Sequence, residues 1–335
     1  MVKQFGIVFF VANKKSKSNL SNSLLMGQVI DFDKKGFEKG KEKLCDSGII
    51  KLLPKLRVLK GETIVIYICQ EILSNEDLLN DVLREIAILK CMEINVLVVL
   101  DVNKQVDVFC SEILNLDKQF VDVNYVQITD QTEVIDAVFK RELTRKVVNN
   151  FKAFNIMSLG VSGYELGIVL PDEVVNKKQS VLTLSKYDIC YETNEEKAKK
   201  QYSTGMLEEL LKTNIIPVIT PTFNDRNGNT YVIESSIFGA YLSGFLSSLK
   251  YVELYVNQPN IPTRCLYGIE RFTKIVKSGS FTDNDLRVMN SGIESIKNGV
   301  QGAHIINVKQ VSLLEEFCGS TICGLFLYDD TLNQF

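Results

Sequence analysis

Few residues of this sequence are of a type and spacing that perform chemistry unaided. His304 is the single histidine among 335 residues, so two-histidine metal sites and histidine relays are excluded within one chain. Eight cysteines stand at positions 45, 69, 91, 110, 190, 265, 318 and 323, and no two form a C-x-x-C pair. Zinc spacing is therefore absent, and reduced, mostly buried thiols are expected. Cys318 and Cys323 read as packing thiols rather than a redox pair. His304, inside the apolar run 303–306, reads as a hydrogen-bonded core histidine. The charges at 195–197 and 199–200 read as a solvated helix face. What remains is the Ser162-Gly163 pair in LGVSGYELGIVL, an ordinary turn that is also able to bring bare backbone close to a phosphate.

The elements that must position such residues are clearest over 215–261, IIPVITPTFNDRNGNTYVIESSIFGAYLSGFLSSLKYVELYVNQPNI. The run 215–220 is short, apolar and bounded by Asn214 and Pro221, as a buried strand is. A second run, 230–233, follows the turn signal at 225–228. Ser235 and Ser236 then cap a helix from about 237 to 249, and 251–256 is the next strand. Strand, turn, helix and strand in this order predict a mainly parallel sheet covered by helices.

The same logic extends along the chain. A strand at 61–68 is followed by a helix that Ser74 caps, with Asp77 in capping-box position and Leu78, Val82, Leu83, Ile86 and Leu89 as its inner stripe. An apolar strand at 94–100 completes a βαβ unit with a right-handed crossover. The longest helix candidate is 131–153, with Val134, Val138, Leu143, Val147 and Phe151 inward, and a strand follows at 156–161. Residues 186–213 are polar and end in a helix through Leu207, Leu210 and Leu211. Late elements are a helix at 284–298, a strand at 303–306, a helix at 311–317 and a strand at 325–328.

Composition is that of a soluble globular protein: 45% hydrophobic, 24% charged, net charge −3. The charge offers no argument for nucleic acid or an anionic membrane. No apolar run approaches the roughly 20 residues of a membrane span. Residues 1–44 stand apart: a short apolar run at 5–12, then a Lys/Ser/Asn-rich stretch with no acidic residue before Asp31. This is either a targeting segment, directing the chain to a plastid or mitochondrion, or an edge strand and disordered loop on a cytoplasmic protein.

From residue 45 onward the order and wording of these blocks resemble acetylglutamate kinase, of the amino-acid kinase family. GETIVIYICQ at 61–70 is similar to GKTIVIKYGG, and NVLVVLDVNKQV at 95–106 to NPVVVHGGGPQI. VQITDQTEVIDAV, LGVSGYELGIVL and GVQGAHIINVKQVSLLEEF follow in the family's order. The resemblance implies a three-layer αβα sandwich over 45–330, with a substrate-side lobe at 45–213 and a nucleotide-side lobe at 214–330. It implies transfer of phosphate from ATP, with Mg2+, to the γ-carboxylate of N-acetyl-L-glutamate. The chain would work as a homo-oligomer, or as a hetero-oligomer with an active paralogue, with a small-molecule ligand and no nucleic acid or membrane partner.

The family's chemical residues, however, are substituted. Its first-strand lysine falls on Tyr67, and the two glycines after it on Cys69 and Gln70. The second glycine loop falls on Asp101, Val102 and Asn103, and the substrate-carboxylate arginine on Gln127. The Asn-Ala-Asp segment falls on Glu234, Ser235 and Ser236, so Ser236 replaces the organising aspartate. The late lysine falls near Val288, with Arg287 one position earlier as a displaced substitute. Ser162 and Gly163 match the pair that approaches the nucleotide, and Asn257 replaces the aspartate of a later nucleotide loop. Phosphoryl transfer needs cations for the developing charge and bare N–H groups around the phosphate. The expectation is a kinase homologue that is impaired or inactive and retained for regulation or assembly. The alternative is a divergent active enzyme drawing its cations from Arg287, Lys104 or Lys60.

Overall fold

The structure, a computed structural model, describes residues 54–104, 125–128, 139–168, 205–224, 230–256, 260–318 and 322–333. The segment 1–44, the charges at 195–200, Asn257 and the first half of the 131–153 helix lie outside the described residues. Over the described part the strands are β1 (Thr63–Ile68), β2 (Asn95–Leu100), β3 (Tyr125–Ile128), β4 (Met157–Ser162), β5 (Ile215–Thr220), β6 (Thr222–Asn224), β7 (Thr230–Ile233), β8 (Lys250–Tyr255), β9 (Cys265–Gly268), β10 (Gly302–Asn307) and β11 (Leu325–Tyr328). The helices are α1 (Gln70–Ser74), α2 (Glu76–Cys91), α3 (Arg145–Ala153), α4 (Gly205–Lys212), α5 (Ser235–Phe245), α6 (Ile269–Ser278), α7 (Asp283–Lys297) and α8 (Leu313–Cys318).

Eight strands form one sheet in the order β4-β5-β2-β1-β8-β10-β11-β9. Every pairing in it is parallel except β10 with β11. The central strands are apolar on both faces because helices cover both, so β1, β2 and β8 are buried from their second residue onward and β10 throughout. Side-chain alternation divides each strand between the layers. On β8, Tyr251 and Glu253 face α5 and α7: Tyr251 bonds to the Ser236 carbonyl, and Glu253 to Ser291. Lys250, Val252 and Leu254 face the opposite layer, which includes α2 and α8. The result is the expected three-layer αβα sandwich. A small antiparallel sheet, β3-β7-β6, stands beyond the C-terminal end of β5.

Several local expectations are corrected. Asn75, not Ser74, caps α2, its side chain accepting the Leu78 N–H at 3.1 Å. The chain first makes the short helix α1, whose last residue Ser74 accepts a hydrogen bond from Gln70 Nε2 instead. Glu234, rather than Ser235 or Ser236, caps α5, and that helix ends at Phe245. The 131–153 helix is not continuous over its described half. A π-helical turn at Lys140–Thr144 precedes α3, with Leu143, Val147 and Phe151 facing inward as the spacing predicts. Strand β9 and helix α6 had no counterpart in the sequence reading.

Candidate functional site

In a mainly parallel sheet the crevice outside the C-terminal strand ends is where ligands are held. Here β1 carries Tyr67 near its end and runs into Cys69 and Gln70, and β2 runs into Asp101, Val102 and Asn103. The N-terminus of α5 supplies Glu234, Ser235 and Ser236. Tyr67 and Glu253 are register partners on β1 and β8, so their side chains share the face under α5 and α7. Arg287 reaches the same group from α7.

At the centre is the carboxylate of Asp101, which is buried. The Tyr67 hydroxyl donates to its Oδ2 at 2.7 Å, and the Gln70 N–H to the same oxygen at 3.3 Å. Its Oδ1 accepts the Asn103 N–H at 2.9 Å. Two of these donors are backbone N–H groups at the ends of adjacent strands, the kind that cradle a phosphate when the loops are glycine. The next N–H, that of Val102, donates to Ser235 Oγ at 3.1 Å. Glu234 caps α5 by accepting the Ile237 N–H at 2.8 Å, and it takes bonds from Ser236 Oγ at 2.6 Å and Asn103 Nδ2 at 3.0 Å. Most of the polar groups at these strand ends are thus satisfied by one another.

The electrostatics follow from burial and the single guanidinium. Burial pushes the Asp101 carboxyl above its ordinary range, opposed by Arg287, the Tyr67 hydroxyl and the Asn103 N–H. Burial, then the Asp101 charge, pushes the Tyr67 hydroxyl well up, so it stays a donor. Glu253 is pushed up to about 8, chiefly by burial, while Ser291 and Tyr251 donate to it. Burial opposes the charge on Arg287, yet Tyr67, Glu234, Asp101 and Glu253 together push its pKa up. Its Nε is buried without a hydrogen-bond partner among the described residues. Val288 lies in the core and is 3% exposed.

The other sequence candidates lie on neighbouring elements. Gln127 lies in β3, opposite Tyr231 of β7. Ser162 and Gly163 end β4, where the Ser162 N–H donates to Glu165 at 2.9 Å. A Cβ on Gly163 would stand 2.1 Å from the Thr222 carbonyl oxygen, so packing against β6 alone requires glycine there. Lys60 precedes β1 at the far end of the sheet and pairs with Glu93 at 2.8 Å, which removes it as a source of cations for the site. Lys104 is exposed, next to Asn103. Glu253 was not singled out from the sequence. Its signal was a lone carboxylate in the apolar strand KYVELY. Among the described residues no group of three His, Cys, Asp or Glu side chains is placed to hold a metal ion, and no helix is long and apolar enough to cross a membrane.

The comparisons with known proteins agree with this architecture. N-acetylglutamate synthase from Neisseria gonorrhoeae, in complex with coenzyme A and N-acetyl-glutamate, superposes with a TM-score of 0.60 at 15% identity, over 84% of this chain and 63% of that one. The chain thus spans under two thirds of the synthase. Carbamate kinase from Giardia lamblia bound to AMP-PNP gives 0.53 at 13% identity, over 81% and 99%. The fold is that of the amino-acid kinases. No protein-family model matches the chain. Curated relatives do: acetylglutamate kinase from Acinetobacter baumannii is 23% identical over 278 residues, 80% of this chain and 90% of the relative. The enzyme of the same name from Marinobacter nauticus is 23% identical over 274 residues, 79% and 92%. The chain is thus similar in sequence to the acetylglutamate kinases and has the fold of the amino-acid kinases.

Two predictions follow from the site geometry. Tyr67→Phe leaves Asp101 buried with one donor fewer, at a cost of about 1–3 kcal/mol. In a double-mutant cycle with Asp101→Ala, denaturant unfolding should show a coupling of about 1–3 kcal/mol; additivity within about 0.5 would mean that the pair does not interact. The raised pKa of Glu253 means that the folded state holds a proton the unfolded state releases. Its contribution is full below the unfolded value, near 4.5, and fades as pH rises through about 8. Native stability should therefore fall across that window by up to about 1.4 kcal/mol per pH unit. Glu253→Gln should flatten the dependence, and an unchanged pH profile would assign the slope to other groups.

Proposed function

We propose that the chain is an acetylglutamate kinase homologue of arginine biosynthesis that no longer transfers phosphate and serves in regulation or assembly. The observation that carries this reading is the Asp101 carboxylate, which accepts the Gln70 and Asn103 N–H groups from a position where kinases of this fold present bare backbone. ATP does not fit these residues. Its phosphates would meet a buried carboxylate, the side chains of Cys69, Gln70 and Val102, and N–H groups already bonded. Each preorganised donor removed from such a site costs about 10²–10³ in rate, although the losses do not add.

The kept framework beside the altered loops supports a partner role. Strands β1, β2, β8 and β10 retain the apolar core that shapes the subunit, and assembly with an active paralogue needs the subunit rather than its chemistry. One observation favours the second reading, a divergent active kinase: Arg287 brings a cation to the strand ends. It is met there by Asp101, Glu234 and Glu253, so its charge is engaged before a phosphate arrives.

The test is a coupled assay for ADP with purified full-length chain, MgATP and N-acetyl-L-glutamate. No ADP above background is expected. Turnover that disappears in Arg287→Ala would establish the active alternative. Mixed with an active acetylglutamate kinase, the chain should co-elute with it in size-exclusion chromatography; separate elution would remove the assembly role.

A further inference from the structure

The carboxyl of Glu253 lies inside the molecule, on the face of β8 that α5 and α7 cover, and the residue is 1% exposed. Two hydroxyls meet its Oε2. That of Tyr251, two residues back on the same face, lies 2.7 Å away, and Ser291 Oγ reaches the same oxygen from α7. Each hydroxyl also faces a helix carbonyl. Tyr251 Oη lies 3.2 Å from the Ser236 carbonyl oxygen in the first turn of α5. Ser291 Oγ lies 2.9 Å from the Val288 carbonyl oxygen, one turn back in α7. A hydroxyl carries one proton, so each of these has two acceptors and can donate fully to one.

That count makes the arrangement depend on a single proton. With Glu253 ionised, Tyr251 and Ser291 both donate to Oε2, and neither serves its helix carbonyl. With Glu253 protonated on Oε2, the carboxyl donates to one hydroxyl, which then turns to its own helix carbonyl. Burial pushes Glu253 up to about 8, opposed by Ser291, Tyr251 and Arg287 and assisted by Glu234. Burial, then the Glu253 charge, raises Tyr251 well above the usual tyrosine range, so it remains a hydroxyl. The groups that face Glu253 are Tyr251 on its own strand, Tyr67 from β1, Glu234 at the cap of α5, and Arg287 and Ser291 from α7. Its register partner on β10 is the apolar Ile305.

We propose that Glu253 is a proton-operated switch in the packing of α5 and α7 on the sheet, reassigning the Tyr251 and Ser291 hydroxyls between its carboxyl and the two helices. The consequence reaches the strand ends. Ser236 stands in the turn that Glu234 caps, and Val288 is next to Arg287. The ionised carboxyl also adds a negative charge beside Arg287 and strengthens the hold on its guanidinium. The two helices that carry Arg287 and the Glu234 cap are thereby tied to one titrating group. The switch works whether or not the chain transfers phosphate.

Two measurements on the full-length chain test this. In infrared difference spectra, the band of a protonated carboxyl should be lost from the wild type as pH rises through about 8, and should be missing from Glu253→Gln. Tyr251→Phe and Ser291→Ala each remove a donor to the ionised form, so each should raise that midpoint by about one pH unit. In heteronuclear NMR, the backbone carbonyl carbon resonance of Ser236, of Val288 or of both should move with the same midpoint. Tyr251→Phe should abolish the movement at Ser236, and Ser291→Ala that at Val288, while Glu253 still titrates. The wild-type titrations need no variant: no carboxyl titrating near pH 8, or both carbonyls stationary through the midpoint, would overturn the proposal. So would a carbonyl that still moves after its hydroxyl is removed.

Discussion

The arrangement at the strand ends depends on one buried carboxylate. A carboxylate taken out of water must be met by donors or by opposite charge, or it will not stay ionised. Asp101 is met by the Tyr67 hydroxyl, by two backbone N–H groups and by the field of Arg287. These residues constrain one another. A tyrosine at 67 needs a buried acceptor, an aspartate at 101 needs the donors of β1 and its own loop, and Arg287 needs carboxyl groups to remain charged in a half-buried place. Glu234 adds to the set by capping α5 while it holds Asn103. On the function proposed above, these residues together put the protein's own anion where a bound one would sit. Two atoms stand outside that consistency: Gln70 Oε1 and Arg287 Nε are buried without partners among the described residues.

The two ends of the sheet show how the same scaffold carries different chemistry. Alternation along β8 sends Glu253 to one layer and Lys250 to the other, and the C-terminal and N-terminal strand ends gather separate polar groups. The strands between them are mostly apolar, and the buried side chains of Tyr67, Tyr251, Glu253 and His304 are each hydrogen-bonded. A rigid apolar interior is what allows a buried carboxyl or amine to keep a perturbed pKa, since the structure cannot relax around it.

Much of the fold was legible because the buried strands are short apolar runs with clear boundaries, as at 215–220 and 325–328. Caps were misread where two polar residues compete. Ser74 and Asn75 both qualify by type, and only the short helix α1 decides between them. Glu234 was passed over for Ser235 and Ser236 because serine is the commoner cap, whereas the fold places the Glu234 carboxylate over the Ile237 N–H. Strand β9 has mixed burial at the sheet edge, so CLYG carries no periodic signal. The antiparallel β11 cannot be told from a parallel strand by composition. At the site, alignment with the family points to Arg287, Asp101 and Tyr67 separately, but their mutual bonding is a matter of register between β1, β2 and β8. Glu253 escaped notice because it is a single carboxylate within a buried strand, and its meaning lies in facing Tyr67 across the β1–β8 register.

The central claim is that side chains at the ends of β1 and β2 occupy the place of a phosphate. The most direct measurement is calorimetric titration of MgATP into the native chain and into a variant carrying Tyr67→Lys, Cys69→Gly, Gln70→Gly and Asp101→Gly, with the fold of both checked by circular dichroism. The account predicts no resolvable binding to the native chain and measurable binding to the variant, where a cation and a glycine cradle replace the internal anion. Micromolar binding to the native chain would contradict it, as would a folded variant that gains nothing.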